Sequence, residues 1–119
     1  MQINKILTRV YVNNAEEAIE FYEGLFQKKI NSRFKIKNPD LEVINIDNLL
    51  IIVGTKEELA SVRNTMATFS VDSLEEYKEV LLNSGATIIK DIKKVPTGWN
   101  MTVKHKDGIV VEYVQRAVD

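Results

Sequence analysis

The feature that most restricts what this chain can fold into is an internal repeat. Val12 is followed by Asn14 and Glu17, and 59 positions later Val71 is followed by Ser73 and Glu76. The same offset carries Glu16 onto Glu75 and Glu20 onto Glu79. A repeat of about half the chain length implies two modules, because a unit of about 60 residues buries too little surface to be secure alone.

Each module reads as strand, helix and three strands. Asn14 with Glu17, and Ser73 with Glu76, have the spacing of a capping box, in which a short side chain and a glutamate satisfy orphan amides at a helix start. Ala15, Ala18, Ile19, Tyr22 and Leu25 then recur every three or four residues, predicting a helix over 15–26. Leu74, Tyr77, Val80 and Leu81 repeat the pattern up to Gly85, a natural C-terminal stop. The β-rich stretches 6–12 and 66–71 precede these helices. Three strands follow each helix, over 29–36, 41–46 and 49–53, and over 87–94, 101–105 and 109–114. Asp47-Asn48 and Asp107-Gly108 mark the last turn of each half. Module 1 is thus about 1–54 and module 2 about 65–119, joined by a linker over 55–64 with a helical turn capped by Thr55 and Glu58.

Composition excludes several kinds of function. With 45% apolar and 28% charged residues the 119-residue chain is that of one ordinary globular domain. Its longest apolar run, 49–53, is far short of the roughly 20 residues that span a bilayer, and 1–5 does not open a signal peptide, so a cytoplasmic protein without membrane contact is expected. Sixteen basic against seventeen acidic residues give no field for nucleic acid. The basic run Lys28, Lys29, Arg33, Lys35 and Lys37 reads as a charged outer strand face that discourages edge pairing. The absence of cysteine removes disulfides, thiolate catalysis and sulfur-ligated metals, and a single histidine removes two-histidine metal sites. The five glycines form no phosphate-cradling loop.

The motif V-x-N-x-x-E-A-I-E-F-Y at 12–22, and D-G-x-x-x-E-Y at 107–113, within a duplicated βαβββ unit, resemble the vicinal oxygen chelate superfamily. That group includes glyoxalase I, extradiol dioxygenases, fosfomycin-modifying enzymes and bleomycin-resistance proteins. The resemblance implies an α+β fold in which two βαβββ modules form a cupped mixed sheet with helices outside, and it implies a homodimer. It also implies metal ligands on the first and last strand of each module, at Leu7 and Ile52 in the first and at Met66 and Glu112 in the second. Only Glu112 is a hard donor, and one carboxylate cannot hold a divalent ion. No metal or other cofactor is therefore expected, nor metal-dependent glyoxalase or dioxygenase activity.

Strand alternation with Leu7 inward places Arg9 and Tyr11 on the cup face and sends Thr8, Val10 and Val12 toward the helix. Met66, Thr68 and Ser70 are expected to face the cup, as are Leu50, Ile52, Val110, Glu112 and Val114. Such a wall suits a small-molecule pocket, and equally a filled core. Glu112 is either an acid or base of raised pKa, a partner for a cationic ligand, or half of a salt bridge with Arg9. Arg9 suits a carboxylate or phosphate, and Tyr11 donates a hydrogen bond or packs. Trp99, on a turn after Gly98, closes over a ligand or packs on its own strand. His105, between two lysines, is expected to be exposed.

Three functions compete. The first is a metal-free protein, resembling the bleomycin-resistance type, that binds a small molecule through Leu7, Arg9, Tyr11, Leu50, Ile52, Met66, Thr68, Trp99 and Glu112. The second is a metal-independent enzyme of isomerase or lyase type with Glu112 as its catalytic acid or base. The third is a dimerising or regulatory module whose cup is filled.

Overall fold

The computed structural model describes residues 1–117. Its elements follow the order β1 (Ile3–Val12), α1 (Ala15–Phe26), β2 (Ser32–Ile36), β3 (Leu41–Ile46), β4 (Leu49–Val53), α2 (Lys56–Leu59), β5 (Thr65–Val71), α3 (Leu74–Asn83), β6 (Thr87–Val95), β7 (Gly98–Lys104) and β8 (Val110–Arg116). The βαβββ unit therefore occurs twice, with α2 in the connection. The chain divides into two compact units, one of Thr8–Asn64 and one of Met1–Leu7 with the segment from Thr65 onward.

In the unit Thr8–Asn64 the strand order is β2-β3-β4-β1. β4 runs parallel to β1 and antiparallel to β3. Asp47 adopts φ +52° at the β3–β4 turn, a left-handed conformation that Asp tolerates. Asn14 Oδ1 accepts from Glu17 N at 3.0 Å to start α1. One face of α1 then packs Ala18, Ile19, Tyr22 and Phe26 against Ile44, Ile46, Ile51 and Val53, with Val10 and Val12 beside them. All five residues of β4 are buried, so this strand is covered on both faces.

The basic strand β2 is held by pairing rather than left bare. Arg33 is hydrogen-bonded to Glu42 on β3 and to Glu16 on α1, the latter at 2.7 Å, and these carboxylates raise its pKa further. The first of the expected strands is shorter than alternation suggested, since β2 begins at Ser32. Asn31 instead bonds the Asp47 and Asn45 backbone, closing the connection.

In the other unit the order is β5-β8-β7-β6, with the start of β1 beside β5. Gln2 N donates to Asp72 Oδ1 at 2.8 Å, and Asp72 N to Gln2 O at 3.2 Å. α3 packs over Val71, Leu74, Ala86, Met101, Val103, Val111 and Tyr113. Ser73 Oγ accepts from Glu76 N at 3.3 Å, while the Glu76 carboxylate lies 3.3 Å from the Met1 ammonium. The reciprocal capping box is complete at α2, where Thr55 and Glu58 each bond the other's amide. Gly108, at φ +92°, supplies the left-handed residue before β8.

Candidate functional site

Glu112 lies at the centre of β8, directly opposite Thr68 on β5 and Thr102 on β7. Its neighbours Val111 and Tyr113 are turned into the α3 core at 1% and 3% exposure, so alternation presents Glu112 on the other face. Thr68 Oγ1 donates to Glu112 Oε1 at 3.1 Å, and Asn100 Nδ2 donates to Glu112 Oε2 at 3.3 Å. Each carboxylate oxygen thus has a neutral donor. Such donors orient a carboxylate without cancelling its charge. Glu112 is half-buried and makes no ion pair among the described residues.

The expectation that Met66 shares this face is corrected by a bulge. Thr65 pairs with Val110 and Ala67 with Val111, leaving Met66 as an extra residue that breaks the alternation. Met66 is 60% exposed, and Thr65, at 8%, takes the place next to Thr68 on the Glu112 face. Only the register distinguishes the two; nothing in the residue types at 65–67 signals the bulge.

In the unit Thr8–Asn64 the face turned away from α1 carries Arg9 and Tyr11 on β1, paired with Leu50 and Ile52 on β4. Val10 and Val12 pack toward α1 as alternation expects. Leu50 and Ile52 are 8% and 1% exposed, and Leu7, in the other unit, is 6% exposed. These aliphatic side chains are closed to water and act as packing. The half-buried groups are Arg9 and Tyr11. The Tyr11 hydroxyl donates to Val62 O at 2.8 Å, and Arg9 Cζ lies 5.6 Å from the Tyr11 ring centroid.

Trp99 and His105 are placed differently from their sequence contexts. Trp99 is within β7 and packs against the cluster that contains Met101, Val103 and Tyr113. It therefore shares the α3 side rather than the face of Glu112. His105 is half-buried, with Nε2 2.7 Å from the Tyr113 hydroxyl and its ring near Phe69. The flanking lysines suggested exposure, but the turn that returns into β8 folds the imidazole onto the core. Desolvation, with a further push from Tyr77, raises the Tyr113 pKa to about 12. Asn100 and Thr65 are the contributors that sequence reasoning missed.

The four positions at which the resemblance implied ligands do not have the chemistry for a divalent ion. Leu7 and Ile52 are buried hydrocarbon, Met66 is an exposed thioether, and Glu112 alone offers oxygen. Among the described residues no three His, Cys, Asp or Glu side chains group to hold a metal. A shallow groove of about 690 Å³ at the C-terminal end of α1 is lined by Glu20, Glu23, Gly24, Gln27, Lys28 and Lys29. Its lysines already face Asp47 at 3.3 Å and Glu23 at 3.8 Å. Among the described residues no helix is long and apolar enough to cross a membrane.

Comparison with solved structures defines the fold class. Methylmalonyl-CoA epimerase of Streptomyces coelicolor, in complex with 2-nitronate-propionyl-CoA, superposes with a TM-score of 0.75 at 15% identity, over 98% of this chain and 97% of that one. The epimerase of Mycobacterium tuberculosis gives 0.74 at 12% identity, covering 98% and 90%. The chain thus has the α+β fold of the glyoxalase and bleomycin-resistance type. An uncharacterized, hypothetical protein from Methanosarcina mazei matches far more tightly, with a TM-score of 0.94 and 46% identity over 100% of this chain and 98% of that one. This chain belongs to the same family as the Methanosarcina mazei protein. No protein-family model matches the sequence, and no curated protein does.

Proposed function

We propose that this chain is a vicinal-oxygen-chelate-type protein that binds a small molecule without a divalent metal. The observation that carries this reading is Glu112, a half-buried carboxylate with both oxygens held by Thr68 and Asn100 and no ion-pair partner among the described residues. Holding a charged group in a partly dehydrated place costs stability unless something uses it. A ligand carrying a cation or a hydrogen-bond donor is that use. Leu7 and Met66, the other positions of this unit at which the resemblance implied ligands, offer no oxygen donor and leave Glu112 to act alone. Methylmalonyl-CoA epimerase structures of this fold contain 2-nitronate-propionyl-CoA or methylmalonyl-CoA, which supports a small-molecule ligand here. Ligand contact in this unit falls to Glu112, with Asn100 beside it.

Native mass spectrometry of the purified protein tests the reading. A compound of low mass retained by the wild type and lost in Glu112→Ala is expected. If neither form retains a compound, and a fragment screen by NMR gives no saturable shift at Thr68, Asn100 or Glu112, the reading fails.

A second reading, proton transfer by Glu112, is favoured by the same two hydrogen bonds, which fix the direction of the carboxylate lone pairs. It predicts that a bound ligand exchanges a carbon-bound proton with solvent deuterium in wild-type protein and not in Glu112→Gln.

A further inference from the structure

The Nε of Arg9 is sealed from solvent and has no hydrogen-bond partner among the described residues. A buried donor left without an acceptor is costly, and more so when it is charged. Arg9 and Tyr11 are two residues apart on β1 and therefore share a face, with Arg9 Cζ 5.6 Å from the Tyr11 ring centroid. The Tyr11 hydroxyl donates to Val62 O at 2.8 Å, which ties the segment after α2 to the ring. Arg63, the next residue, bonds Leu59 O through its amide at 2.9 Å and brings its Cζ to 5.9 Å from the same centroid.

Two guanidinium groups therefore share one aromatic ring. The ring quadrupole attracts each of them, but the two cations repel one another. Neither forms an ion pair among the described residues. Elsewhere in the same unit Arg33 has two carboxylates, so the chain supplies acidic partners to an arginine where the arginine is structural. Neither Arg9 nor Arg63 has such a carboxylate among the described residues.

We propose that Arg9, Tyr11 and Arg63 form an oxyanion-binding site for the phosphate or carboxylate of a small ligand. Arg9 is half-buried as a whole and offers a planar guanidinium fork that matches two oxygens at once. Tyr11 holds the guanidinium plane, and the exposed Arg63 approaches from the solvent side. This goes beyond the preceding reading, since it depends neither on Glu112 nor on the absence of a metal.

The test follows the Arg9 Nε–Hε signal by ¹⁵N NMR during titration with inorganic phosphate or succinate at constant ionic strength, with chloride as the reference. A saturable shift is expected in the wild type. Arg63→Gln, a surface change that leaves folding intact, is expected to weaken binding about tenfold, and Arg9→Lys to remove it. Tighter phosphate binding assigns a phosphate ligand, and tighter succinate binding assigns a carboxylate. No saturable shift with either anion beyond that with chloride overturns the proposal, as does Arg63→Gln protein that binds like the wild type.

Discussion

Tyr113 provides a stability experiment that needs no ligand. Its side chain is 3% exposed, its hydroxyl lies 2.7 Å from His105 Nε2, and the Phe69 and Tyr77 rings lie 5.4 and 6.1 Å away. Burial first, and the Tyr77 phenol second, push its pKa from 10.0 up to about 12. The folded protein therefore holds the phenol proton more tightly than the unfolded chain does. The sign follows: this contribution is complete below pH 10 and is lost as pH rises through about 12. A shift of about two units corresponds to at most about 2.7 kcal/mol. Partial screening of the hydroxyl by water reduces the expected loss to about 1–2 kcal/mol. Urea denaturation of wild type and Tyr113→Phe at several pH values isolates the effect, because phenylalanine cannot ionise. Near neutral pH the variant should be less stable by about 1 kcal/mol through the lost bond to His105. Above pH 11 the gap should close and then invert. Stability curves that stay parallel would refute the reasoning.

Other substitutions test other parts of the account. A Cβ at Gly98, where φ is +148°, would lie 2.1 Å from Gln115 O, so Gly98→Ala should cost more than about 3 kcal/mol and lower the thermal midpoint sharply. Ile51 is fully buried, and Ile51→Ala should cost about 2–5 kcal/mol in the same assay. Met66, 60% exposed in its bulge, should tolerate Met66→Ser to within about 0.5 kcal/mol. Thr68→Val keeps the shape of the buried side chain but removes the donor to Glu112, and should cost about 1–2 kcal/mol in urea while weakening ligand binding.

Much of the fold was legible because local chemistry and long-range packing agree. The stripe from Ala15 to Phe26 forms the expected helix, and Val10 and Val12 pack against it as strand parity requires. Asp47 and Gly108 turn the chain where their tolerance of positive φ suggested. Parity failed at Met66, because a bulge is decided by how two strands fit and not by the residues of one. Trp99 followed a Pro-Thr-Gly sequence that reads as a turn, yet β7 begins at Gly98 and lays the half-buried indole against the core. His105 sits between lysines, and its neighbour in space is Tyr113, eight residues away. Glu112 was legible as an acid in an apolar strand, but its orienting partner Asn100 lies on the adjacent strand and had no signal of its own.

The expectation that the protein holds no divalent metal is most directly tested by elemental analysis of protein purified without chelator, alongside Glu112→Gln. With leucine, isoleucine and methionine at the other three positions, transition metals and magnesium should both be far below one equivalent, and the substitution should change nothing. Near-stoichiometric metal in the wild type that disappears in Glu112→Gln would contradict the account.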